Sequence, residues 1–140
     1  MKIVGFNFTK VFAEKKNALT KSPEVKTSVD IFEIKEASSE LFKLKEGLLE
    51  IKFSYSIFYE PSFASLIFEV NLLLLEDSKE SKDILKGWKN KELSEEFKAN
   101  VFNMVLRRAN IKAVQLEEEI GIPTHFQMPY LKFEKKERKG

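Results

Sequence analysis

The chain has no cysteine among its 140 residues. Disulfide staples, thiolate nucleophiles and cysteine-ligated metal are therefore excluded. A single histidine, His125, removes any histidine-rich ligand set, and the five glycines form no phosphate-cradling cluster. A Ser-His-Asp triad needs only one imidazole, so His125 is the one candidate base; its position just beyond a helix stop reads as a loop or core histidine in preference to a catalytic one. Neither sign of charge dominates: 24 basic and 22 acidic side chains leave a formal charge of +2, which argues against nucleic acid or a membrane surface as the main partner. Long hydrophobic runs are missing too. Leu72 to Leu75 is far short of a membrane span, and "MKIVGFNFTKVF" carries too short an apolar run for a signal peptide. A cytoplasmic protein is expected, in which Asn7-Phe8-Thr9 is an incidental glycosylation-like triplet.

What the chain has is apolar side chains, 43% of all residues, with 13 Phe and 3 Tyr. This length fits one domain with a real core, expected over residues 1–134, followed by a charged, flexible tail at 135–140. A first strand is expected near Val4 to Glu14, with a register shift around Lys10 that leaves open whether Val11 or Phe12 continues the face of Phe6 and Phe8. "KKNALTKSPE" reads as a crossover loop. A second strand carries Val25, Val29 and Ile31 on one side and ends near Lys35, and "EASSELFKLKEG" is either loop or strand edge. From Leu49 to Tyr59 apolar residues alternate with Glu50, Lys52, Ser54 and Ser56, a half-buried strand. After a tight turn at Glu60-Pro61-Ser62, the fourth strand is apolar on both faces: Leu66, Phe68, Val70, Leu72 and Leu74 on one, Ile67, Leu73 and Leu75 on the other. Such a strand should be covered on both sides.

From Asp77 the period turns helical. "SKESKDILKGWKNK" is a short helix or turn anchored by Ile84, Leu85 and Trp88. Ser94 is an expected N-cap, with Glu95 and Glu96 in the favoured first turn. The helix that follows carries Phe97, Val101, Phe102, Met104, Val105, Leu106 and Ala109 over a stripe of roughly 200°, about twice what one surface needs. A second helix is expected from Ile111 to Ile120, stopped by Gly121 and Pro123. Glu117, Glu118 and Glu119 are consecutive, point in different directions, and read as a solvated face and not as a metal or carboxylate pair. Arg107, Arg108 and the lysine-rich end read as solubilising in preference to phosphate-binding.

The order of these elements, with Pro23-Glu24-Val25-Lys26, the block "EIKFSYSIFYEPSFASLIFEV" and the region "LSEEFKANVFNMVLRRANIKAVQLEEEIGIPTHFQMP" with its "IxAxxLxxxxxxP" spacing, resembles the SecB-like chaperones. The resemblance covers most of the chain. It implies an α+β fold: a four-stranded antiparallel sheet with a long C-terminal helix and a shorter helix packed on one side. It also implies a homotetramer built as a dimer of dimers, with the long helix at the interface through Phe97, Val101, Met104 and Val105. By the same resemblance, unfolded clients would lie in an apolar groove that maps onto Phe8, Phe12, Val25, Val29, Ile122, Phe126 and Met128. No cofactor, metal, nucleic acid or membrane is implied, and no enzymatic activity. The well-known bacterial members are strongly acidic and dock the translocation motor SecA through that surface. The slight positive charge here departs from that pattern and argues against hand-over to SecA; a general holdase, or one dedicated to a client such as an antitoxin, fits at least as well. The rival readings are an adaptor subunit with permanently buried apolar surfaces and a small hydrolase using His125.

Overall fold

Alternation along Leu49 to Tyr59 and Ala64 to Glu76 builds a long hairpin, and the rest of the molecule is arranged on it. The computed structural model describes residues 2–16, 22–37, 46–129 and 131. In chain order it contains β1 (Lys2–Lys15), β2 (Glu24–Glu36), β3 (Glu46–Glu60), β4 (Ala64–Asp77), α1 (Ser78–Lys89) and α2 (Glu95–Ile120). The strands form one antiparallel sheet in the order β1-β4-β3-β2, so the hairpin is central and β1 and β2 are edges. The tail at 135–140, the domain boundary at 134 and residues 38–45 of the uncertain segment lie outside the described residues.

Both helices cover the same sheet face. Leu49, Ile51, Phe53 and Ile57 of β3 and Leu66, Phe68, Leu72 and Leu74 of β4 are fully buried beneath them. On α2 the residues closed off from solvent are Val101, Val105, Ala109, Ala113 and Glu117, a line of constant spacing four. Its alanines let the helix lie close to the sheet, while Phe97, Phe102, Met104 and Leu106 flank the line half-buried. Ser94 Oγ accepts from Phe97 N at 3.1 Å as the expected N-cap, and Gly121 closes the helix with φ 70°, the left-handed region open to glycine. α1 is capped by Asp77, whose Oδ1 accepts from Glu80 N at 2.8 Å, and packs Ile84, Leu85 and Trp88 against the core.

Three expectations are corrected. α2 runs unbroken for 26 residues, so no separate helix starts at Ile111, and the expected short helix stands ahead of it as α1. Nothing between Ala109 and Ile111 breaks a helix, and the side chain of Asn110 is engaged by β3 instead of competing for its own backbone. Val101 and Val105 are 0% exposed within the single chain, so they are core and cannot be a subunit interface while α2 stays on its sheet. The fourth strand is covered by helices on one face only; Ile67, Leu73 and Leu75 on the other are half-buried at best.

Bulges set the phase of the edge strands. In β1 the pairing Phe8↔Val70 is followed by Lys10↔Glu69, so Val11 pairs with Phe68 on the helix side and Phe12 with Ile67 on the open side. Further shifts fall between Ile3 and Gly5 in β1 and between Ile31 and Glu33 in β2.

Candidate functional site

Glu117 continues the buried line of α2 and has no exposure at all, in contrast to the solvated position expected for it. A carboxylate there is tolerated only with partners, because burial without hydrogen bonds would cost many kcal/mol. The partners come from β3 and from the segment after α2. The Tyr59 hydroxyl donates to Glu117 Oε2 and also lies 2.6 Å from the Pro123 carbonyl oxygen, two acceptors for one proton. His125 contributes twice: its main-chain N–H donates to Oε2 at 2.9 Å, and Nδ1 lies 2.8 Å from the same oxygen and 3.1 Å from Oε1. The other ring nitrogen, Nε2, is 2.9 Å from Asn110 Oδ1, which also accepts from the Tyr55 hydroxyl at 2.7 Å. Both ring nitrogens thus face oxygens, so the ring is held at each end. Burial, and then the charge of Glu117, push Tyr55 up from 10.0 to about 12. Tyr59 rises further, through burial first and its hydrogen bond to Glu117 second.

This cluster is a clamp. Its acid and base are sealed, with the His125 side chain 5% exposed and that of Glu117 0%. Nε2, the nitrogen that would serve a nucleophile in a triad, is held by an asparagine. Among the described residues no group of three or more His, Cys, Asp or Glu could hold a metal ion. What the clamp does is fix the segment after α2. Ile122 N donates to Glu117 O at 2.9 Å, Thr124 Oγ1 donates to Phe126 O at 2.7 Å, and the His125 ring lies edge-on to Phe126 with centroids 4.7 Å apart. Phe126 and Met128 follow on this anchored backbone, 42% and 44% exposed.

The remaining expected groove residues divide by sheet face. Val25 pairs with Tyr59 and Val29 with Tyr55, which places both half-buried beside the clamp on the helix side. Ile122 is buried at 7% exposure and serves the core. Phe8 is half-buried on the helix side, its ring 5.3 Å from Phe6 and 5.9 Å from Phe68. Phe12, 36% exposed, sits on the open face next to Ile67, so it shares no surface with Phe126. The expected interface residues Phe97 and Met104 stay on the half-buried flanks of α2, where Ile111, 60% exposed, is the most open apolar residue of that helix. Glu117, Tyr59 and Asn110 were missed as site residues. Their signal was present: a spacing of four from Val101 through Ala113 lands on Glu117, and both tyrosines fall on the buried phase of β3.

No family model matches the chain, and no curated protein matches it. Among solved structures it is similar to a SecB-like chaperone of Mycobacterium tuberculosis, determined in complex with a ChAD peptide from the HigA1 antitoxin. The TM-score is 0.50 at 13% identity, over 96% of this chain and 92% of that one. The likeness shows a distant relationship in fold: four antiparallel strands with helices on one face. No helix among the described residues is long and apolar enough to cross a membrane.

Proposed function

We propose that the protein is an ATP-independent holdase that binds non-native polypeptides through apolar side chains, acting in the cytoplasm as a homo-oligomer, a dimer of dimers. The observation that carries this reading is the placement of Phe126 and Met128, solvent-exposed on a backbone that a buried five-residue polar network holds in place. Exposed apolar residues on a flexible loop would collapse onto the nearest core; on a clamped one they stay available. Large aromatic and adaptable thioether side chains suit a site that must accept many sequences. Each client side chain covered there contributes on the order of 1.5 to 3 kcal/mol, so several such contacts outweigh the ordering of the client. Val25 and Val29 extend the surface along β2. The fold likeness supports the reading, and the peptide bound by the structural neighbour makes a dedicated client such as an antitoxin a natural form of it.

The test is suppression of aggregation of a chemically unfolded, unrelated protein. Phe126→Ser and Met128→Ser together should abolish most of the suppression while circular dichroism and oligomer mass stay at wild-type values. Full suppression by the folded double variant refutes this site. An adaptor function is favoured by one specific feature, the uncovered row Ile67, Leu73 and Leu75 on the open face of β4, which a fixed partner would bury. An adaptor would leave the aggregation of unrelated proteins unchanged.

A further inference from the structure

The first turns of α1 are laid over a buried carboxyl group. Glu76, near the end of β4, is 4% exposed and falls on the helix-covered phase of that strand, two residues beyond Leu74. Its pairing partner on β3 is Gly47, and the missing side chain there is what lets α1 come down: a Cβ on Gly47 would collide with Ser81 Oγ. Ser81 is itself buried and keeps its hydroxyl within the helix, donating to Ser78 O at 3.1 Å. The groups gathered round Glu76 are acids. A recess of about 370 Å³ between the end of β4, α1 and the start of α2 is lined by Glu76, by Glu80 and Asp83 of α1, and by Glu96 of α2. Asp77 stands at the same end, its carboxylate capping Glu80 N. The side chains of Glu76 and Glu80 are hydrogen-bonded to each other, which two carboxyl groups can do only with a proton between them. Glu80 lies in the first turn of α1, where the helix dipole favours negative charge, so the proton falls to Glu76. Burial first, and then this hydrogen bond, hold Glu76 above the usual carboxyl range; the α-amino group ahead of β1 pulls the other way and ranks behind both.

We propose that α1 is a pH-sensitive flap, seated on the sheet by the proton that Glu76 shares with Glu80. When that proton leaves, two carboxylates face each other beside Asp83 and Glu96, and one of them is sealed from water. β4 cannot yield, because it is paired along both sides. α1 can, since its hold is a cap and the apolar contacts of Ile84, Leu85 and Trp88. Lifting it hydrates Glu76 and bares those three side chains. The seated state keeps the proton to higher pH than the lifted one, so seating is complete in acid and weakens as pH rises through the raised range of Glu76. None of these residues belongs to the clamp or to the surface assigned to client holding, so the flap stands independently of that reading.

Amide hydrogen exchange of the full chain, read peptide by peptide, tests this. Wild type and Glu76→Gln are compared at the same pH, which cancels the intrinsic pH dependence of exchange. At about pH 4 the α1 amides of the two should exchange alike. At about pH 7, above the ordinary carboxyl range and below that of an α-amino group, those of wild type should exchange at least about threefold faster, with α2 and β4 alike in both proteins. Glu80→Gln, an exposed substitution that removes the facing charge and leaves Glu76 in place, should bring α1 exchange at about pH 7 at least halfway to that of Glu76→Gln, and it decides the question by itself if Glu76→Gln does not fold. Equal α1 exchange in wild type and Glu76→Gln at both pH values overturns the proposal. So does a difference of the same size at both, an acceleration shared by α2, or a Glu80→Gln variant that exchanges as wild type does.

Discussion

Replacing Glu117 by alanine should be among the most destabilising single changes in the molecule. Its carboxylate accepts from the Tyr59 hydroxyl, from His125 Nδ1 and from the His125 main-chain N–H, and at 0% exposure no water can take its place. A buried donor left without an acceptor costs about 1–3 kcal/mol, and the His125 main-chain N–H and the side-chain groups facing the carboxylate lose theirs together. The better helix propensity of alanine returns only a few tenths of a kcal/mol. Glu117→Ala is therefore expected to lower the unfolding free energy by about 3–5 kcal/mol, out of about 5–15 kcal/mol for a domain of this kind. Glu117→Gln keeps one oxygen acceptor and should cost less, about 1–3 kcal/mol. Urea unfolding followed by circular dichroism at neutral pH measures both, with the exposed neighbours Glu118→Ala and Glu119→Ala as controls, expected within about 0.5 kcal/mol of wild type. A double-mutant cycle of Glu117→Ala with Tyr59→Phe should be non-additive, since both remove the same hydrogen bond. A Glu117→Ala variant as stable as its neighbours, or a cycle additive within about 0.3 kcal/mol, refutes the clamp.

Alkaline pH should weaken the fold through the tyrosines. Tyr55 ionises near 10.0 when unfolded and near 12 when folded, so the native state holds the proton longer and stability is lost as pH rises from about 10 to 12, by on the order of 2 kcal/mol from this residue alone. A spectrophotometric titration should show Tyr55 and Tyr59 still protonated at about pH 11 in folded protein; ordinary titration of every tyrosine in a sample that stays folded would contradict their burial beside Glu117. On α2, Val105→Asp places a charge in the core and should unfold the chain, whereas Ile111→Asp on the exposed flank should leave the fold intact and lower the oligomer mass in solution. An unchanged mass for Ile111→Asp would remove that flank from any assembly interface.

The strands, the turn at Pro61, the caps at Ser94 and Gly121 and the helical line through Val101 are legible in one dimension, because each depends on a local period or a single residue's backbone preference. Even Glu117 lies on that line, four residues after Ala113 in a series spaced by four. Periodicity states only which residues of one element share a face, and a carboxylate on a buried face is tolerable only if donors wait there. Those donors are Tyr59, separated from Glu117 by 58 positions, and His125, beyond the helix stop. Phe8 and Phe12 illustrate the same limit. Four residues apart in a regular strand they would share a surface; one bulge between Phe8 and Lys10 puts them on opposite sides of the sheet. Whether α2 needed a partner for its wide apolar stripe was likewise undetermined by its own residues. Val101 and Val105 are satisfied by the core of the same chain, leaving the flanks at Phe97, Met104 and Ile111 open to another. Local sequence sets the phase of each element, but burial is a relation between elements, and their relative placement depends on contacts distant in the chain.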